Sequence, residues 1–263
     1  MIYALSSYKK AFYLAESFNE LSAKQLFAIT KIRSSKMDAN EAILAALRIL
    51  LKMPFIKFAL LPAEIKERLL PYAEWVFGDN TLTHQLLPKY KGLYGPKSKL
   101  LNLRMKEFHA CEMRYKMILD GVPGAMDELI AILYRPGKPH YDLGVDKDGD
   151  VRIDYNGNTV AARATAIAKW PIEVKQAIVF FYDGCRMELI KNHPIVFDQS
   201  NNEQGFQHDQ FHGMFMMMRG IAADGKFGDF EKVENLYMYT ALTEVTQMLI
   251  EQKKLEAQSE ITN

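Results

Sequence analysis

The sequence predicts an all-α protein, a multi-helix bundle of about eight or nine helices with one small β-hairpin insertion at about 140–156. Three observations lead there. Apolar residues recur at helical spacing through most of the chain. The stretches between them carry helix punctuation, with Ser, Asp or Pro at the starts and Gly or Pro at the ends. Only Asp148-Gly149, between two short runs, has the turn chemistry of a tight hairpin.

The first helix is expected over 22–33. Ser22 can accept from the amides of the first turn, Gln25 can return the bond, and Leu21 and Leu26 occupy the staple positions. Asp38-Ala39-Asn40-Glu41 repeats that logic and opens a second helix to about Met53, where Pro54 stops it. Along 42–61 a stripe of Glu41, Ala45, Arg48 and Lys52 opposes Ile43, Leu44, Leu47, Leu50 and Leu51. This reads as an amphipathic helix followed by an apolar turn, packed in the core, with a membrane-surface helix as the alternative, and not as a membrane span. Pro62 starts a third helix, Pro71 breaks it and Gly78 ends it.

Further helices are expected over 103–119, closed by Asp120-Gly121, and over 125–134, ended by Arg135-Pro136-Gly137. The hairpin follows, with strands at 141–145 and 150–155. Helices then run over 159–169 and 171–192, the latter with Gly184 as a weak point and His193-Pro194 as its stop. A Met-rich helix over 206–223 precedes a last helix that Asp229 or Glu231 opens and that runs to about Ala257.

Composition narrows the class. The chain has 263 residues, 49% hydrophobic and 25% charged, which is ordinary for a globular protein and ample for a core. The net charge of +1 excludes a polyanion-coating chain. Two cysteines cannot form a disulfide framework and fit a reducing compartment as buried thiols. The N-terminus places its basic pair after the apolar residues, so no signal peptide is expected.

The charge is unevenly distributed along the chain. Residues 1–120 hold 19 Lys/Arg and 11 Asp/Glu, a net of +8, whereas 121–263 hold 14 and 21, a net of −7. Between Asp79 and Glu107 there is no acidic residue. That gap contains Lys89, Lys91, Lys97, Lys99, Arg104 and Lys106, interleaved with Tyr90 and Tyr94 and marked as a loop by Gly and Pro. These six cations are the candidate partner-binding residues, for an anionic protein surface first and for nucleic acid as an alternative. The same loop is the expected boundary between an N-terminal helical lobe, 1–100, and a C-terminal lobe, 101–263, unless the chain forms one continuous domain.

The motifs that could carry chemistry are few. His208 and His212 lie one helical turn apart, a spacing that lets two imidazoles face one metal. A zinc hydrolase would have Glu beside the first His, and Asp209 stands there instead, with no third ligand at a recognisable spacing. The pair supplies the alternative reading of a metal-dependent hydrolase, but no metal site, catalytic residue or cofactor is expected. Asp146-x-Asp148-x-Asp150 opens like a calcium loop, yet Val151 stands where the turn needs Gly and Gly157 where the bidentate Glu belongs. The hairpin is therefore the expected reading.

Several stretches together resemble a known group. They are 16–26 (Glu-Ser-Phe-Asn-Glu-Leu-Ser-Ala-Lys-Gln-Leu), 128–136 (Glu-Leu-Ile-Ala-Ile-Leu-Tyr-Arg-Pro), 180–186 (Phe-Phe-Tyr-Asp-Gly-Cys-Arg), 226–230 (Lys-Phe-Gly-Asp-Phe) and the helix over 236–249. In order and spacing they resemble helical proteins encoded among the tail-morphogenesis genes of bacteriophages and prophages, the tail assembly chaperone type above all. The resemblance implies a non-enzymatic protein that binds other phage tail or virion proteins. It would act in the cytoplasm of the bacterial host during assembly, or sit in the virion. Self-association is compatible with it, and no membrane partner is expected.

Overall fold

The computed structural model describes residues 2–5, 10–142, 144, 149–197 and 210–262, and within these the side chains of 2–13, 210–213, 256–257 and 259–262 are left undescribed. The all-α expectation holds: 64% of the described residues are helical, with twelve α-helices and small antiparallel strand pairs among them. Two compact units form. The first is Met1–Leu87 with Trp170–Cys185, and the second is Pro88–Lys169 with Arg186–Asn263. This division differs from the expected one near residue 100.

The first unit begins with the hairpin β1 (Ile2–Leu5) and β2 (Lys10–Tyr13), in register Ile2 with Tyr13. Helix α1 (Ala23–Arg33) starts at the expected capping box, with Ser22 and Gln25 bonding reciprocally. Helix α2 (Ala39–Leu50) is capped by Asp38 and packs on α1, burying Ala42, Ala46, Leu47 and Leu50. Two short helices, α3 (Phe55–Ala59) and α4 (Ala63–Leu69), follow prolines 54 and 62, and 3-10 turns at Leu70–Tyr72 and Glu74–Phe77 lead to Gly78.

Residues 172–185 of helix α8 (Ile172–Asn192) complete this unit, for a physical reason. Asn80 donates to the Phe180 carbonyl at 2.7 Å and to the Asp183 carboxylate at 2.8 Å. Phe18 packs edge-on against both Trp75 and Phe180, with centroids 4.9 and 5.0 Å away. The Arg33 guanidinium lies 5.2 Å from the Phe180 ring and donates to the carbonyls of Val76 and Gly78. A sequence break at residue 100 cannot see these long-range partners.

The second unit is built on α5 (Met105–Leu119), α6 (Ala125–Leu133) and α7 (Val160–Ile167), with α6 packed between the other two. Helices α9 (Pro194–Phe197), α10 (Gln210–Asp224), α11 (Phe230–Glu234) and α12 (Met238–Thr262) complete it. The expected single last helix is two. The break at 235–237 exists because the Leu236 carbonyl accepts from Met105 N at 2.9 Å, and Met238 N donates to the Leu103 carbonyl at 2.9 Å. Those bonds take the backbone groups that a continuous helix would use.

Among the described residues, the tight hairpin of this unit lies upstream of the expected 140–156. It is β3 (Lys89–Tyr90) and β4 (Leu93–Tyr94), inside the basic stretch, turned by Lys91 and Gly92 at φ of 45° and 82°. Among the described residues of 140–156 there is no strand; Val145 and Asp146-Lys147-Asp148 lie outside them. The segment after Gly149 instead pairs with the chain leaving α6. Lys138 N donates to the Val151 carbonyl at 2.8 Å, and Ile153 N to the Pro136 carbonyl at 2.9 Å. Gly137 and Arg152 form an antiparallel bridge there.

Candidate functional site

The second unit brings four charged side chains together beneath that bridge. Glu107 comes from the first turn of α5, Arg135 from the residue after the α6 cap, and Asp150 and Arg152 from the returning loop. All four are buried, the two arginines at 1% exposure. The Arg152 Nε donates to both Asp150 oxygens at 2.9 and 3.2 Å, and Nη2 donates to Asp150 Oδ2 at 2.8 Å. Its remaining donors reach the carbonyls of Leu133 at 2.9 Å and Asn102 at 3.2 Å, and Glu107 Oε2 at 3.5 Å. The Arg135 Nη2 lies 3.1 Å from Glu107 Oε2 and 3.8 Å from Asp150 Oδ2.

Two carboxylates and two guanidiniums cancel, which is the condition for holding charge in a core. Burial acts to raise the Asp150 pKa, but the hydrogen bonds and charge of Arg152 outweigh it and hold that carboxyl below its usual value. Burial, with the neighbouring Arg152 charge, lowers the Arg135 pKa. Cys111, fully buried one turn along α5 from Glu107, has its thiol pushed well up, by burial first and by Glu107 and Glu112 next, which favours the protonated thiol. The cluster ties α5, the end of α6 and the returning loop to one another, which is structural work.

The basic stretch is less available than its composition implies. Lys89 donates to the Tyr94 hydroxyl at 2.8 Å and lies over that ring. Lys91 lies over Tyr90, and Lys99 is paired with Glu188 at 2.8 Å. Arg104 donates to the Asn235 carbonyl at 2.8 Å and stacks on Tyr237 at 4.3 Å. Lys97 is exposed, with its amine close over Gly149, and Lys106 is half-buried on α5. Four of these cations, Lys89, Lys91, Lys99 and Arg104, are engaged within the unit.

His208 lies outside the described residues, and of His212 only the backbone, within α10, is described. Among the described residues no three His, Cys, Asp or Glu side chains are placed to hold a metal ion.

A different surface emerges on the Met-rich helix. Met214, Met218 and Ile221 form its buried stripe. The neighbouring stripe, Phe215, Arg219, Ala222 and Ala223, faces outward beside Phe230 of α11. The Phe215 and Phe230 rings lie 5.4 Å apart, tilted by 60°. Together these five residues line an open depression of about 370 Å3. Its floor is apolar, and Arg219 is its charged group. Gly225, at φ of 75°, ends α10, and Asp229 caps α11 by accepting from Lys232 N, which fixes the angle between the two helices. The signal for this site was the spacing of Phe215, Arg219 and Ala222 at one and two helical turns, hidden by a second apolar stripe on the same helix.

No protein family, curated protein or solved structure matches this chain.

Proposed function

We propose that this protein works by contact, as a bacteriophage assembly or structural protein that holds a helical segment of another tail or virion protein against the α10–α11 face. The observation that carries the reading is the outward stripe of Phe215, Arg219, Ala222 and Ala223 beside Phe230, an apolar-floored depression next to the buried stripe of Met214, Met218 and Ile221. An amphipathic helix supplies the complement: apolar residues one turn apart for the two rings and a carboxylate for Arg219. Met216, exposed next to Phe215, gives that face a side chain that adapts to its occupant. The resemblance of the segments to tail-morphogenesis proteins supplies the class of partner and the setting, the host cytoplasm during assembly or the finished particle. No helix among the described residues is long and apolar enough to cross a membrane.

The test is co-expression with the tail and virion proteins encoded beside the gene, followed by co-purification. The wild type carries one of them through. Phe215→Asp, at a position that the fold leaves 39% exposed, keeps the helical circular dichroism and loses the partner. The reading is overturned if the wild type retains no such protein, or if the variant retains it equally.

A further inference from the structure

The first unit carries a second surface, independent of the α10–α11 face. The three most exposed large apolar side chains among the described residues are Phe55, Ile56 and Leu60, at 71%, 72% and 74%. They fall within six residues, on α3 and the residue that caps it. With exposed Ala59 they occupy one side of the turn, at positions i, i+1, i+4 and i+5. The other side is anchored: Phe58 and Leu61 are 8% and 3% exposed. Pro54 and Pro62 bracket the segment and restrict its backbone. Lys66 holds it from α4, donating to the Ala59 carbonyl at 3.0 Å and lying 5.4 Å from the Phe58 ring. The apolar tip is therefore held outward by a built support.

Its electrostatic setting is one-sided. From Ala42 to Ala63 there is no carboxylate, while Arg48, Lys52 and Lys57 all fall in that stretch. Lys52 and Lys57 are exposed on either side of Phe55 and Ile56. Glu64, Glu67, Lys66 and Arg68 follow on α4 and cancel one another.

We propose that the α3 turn is a peripheral docking surface for an anionic lipid bilayer, with Phe55, Ile56 and Leu60 entering the interface and Lys52 and Lys57 meeting the headgroups. Three side chains cover far less than the roughly 800 Å2 per partner that a stable protein interface buries. A bilayer needs no matching groove, because its acyl chains rearrange around protruding side chains. A second copy of this chain is disfavoured, since a two-fold contact through the turn would bring the lysines of both copies together. Interfacial docking of this kind involves no spanning helix.

The experiment is flotation of the full-length protein with vesicles of phosphatidylcholine alone, and with vesicles in which roughly one lipid in four is phosphatidylglycerol. The wild type floats with the anionic vesicles only, and added salt releases it. Phe55→Ser with Ile56→Ser stays at the bottom of the gradient. Lys52→Gln and Lys57→Gln each lower the floated fraction, by about fivefold in partitioning per charge removed. All the substituted positions are exposed, so circular dichroism and thermal midpoint should match the wild type and separate docking from folding. The proposal fails if the wild type does not float with anionic vesicles, or floats equally after the Phe55 and Ile56 substitutions. If there is no flotation and the same double variant loses a co-expressed partner, the turn is a protein contact instead.

Discussion

Arg152 is the residue on which the most structure converges. Its guanidinium and backbone reach Asp150, Glu107 and two main-chain carbonyls, and almost none of it meets solvent. Replacing it with Met preserves the apolar stem but leaves two buried carboxylates short of a partner. Arg152→Met should therefore cost about 3–5 kcal/mol in chemical unfolding. An unchanged midpoint would show that the cluster does not hold the loop.

Asp150 adds a pH signature. Its folded pKa lies below the ordinary 3.8, so its contribution to stability is complete above 3.8. That contribution is lost as pH falls from 3.8 through the lowered folded value, because the unfolded carboxyl takes up its proton first. Urea midpoints measured downward through this range should fall more steeply for the wild type than for Asp150→Asn. Parallel curves would contradict the assignment. None of this was legible in sequence. In the sequence Asp150 is the third Asp of a calcium-loop-like series at the start of an expected strand, and Arg135 belongs to the Arg-Pro-Gly stretch that ends a helix; only tertiary closure buries the two together.

Local signals predicted elements well where the deciding interactions are local. The Ser22–Gln25 capping box, the Asp38 cap, the break at Pro71 and the end at Gly78 all lie where the residues place them. Prediction failed where a distant backbone group decides. The last helix breaks at 235–237 because α5 and the residue before its cap take its backbone bonds, and residues 151–153 pair with 136–138. Gly184 is the clearest case. Read along the chain it is a weak point in a long helix, but a Cβ there would lie 2.3 Å from the Leu82 carbonyl oxygen and 2.8 Å from Asn80 Oδ1. The glycine is what lets residues 80–82 lie against α8. Gly184→Ala should destabilise by about 1–3 kcal/mol, since the clash outweighs the gain in helix propensity. A stabilised variant, read by thermal midpoint, would refute this packing.

At the scale of the whole molecule, the charge pattern of the sequence dissolves. The N-terminal and C-terminal portions differ by fifteen charges along the chain, yet the folded units do not inherit that contrast. The first unit holds 12 Lys/Arg and 10 Asp/Glu, the second 21 and 22, for net charges of +2 and −1. The chain crosses between units after Leu87, after Lys169 and after Cys185, which redistributes the charges. Interaction surfaces are therefore argued one at a time, within each unit. Three of the six cations of the basic stretch, Lys89, Lys99 and Arg104, have polar partners within the second unit. Two of the outward apolar features, the α3 turn in the first unit and the Phe215 stripe in the second, adjoin residues that do pack, which masks them in the sequence.

The central claim is that the α10–α11 face holds a partner's helix, and hydrogen–deuterium exchange reads that face directly. The comparison is the protein alone against the protein in complex with its co-purified tail or virion partner. Occupation of the depression predicts slowed exchange across 214–224 and 230–234, with loss of that protection in Phe215→Asp. Slowed exchange confined to the basic stretch 89–106, with 214–234 unchanged, would contradict it.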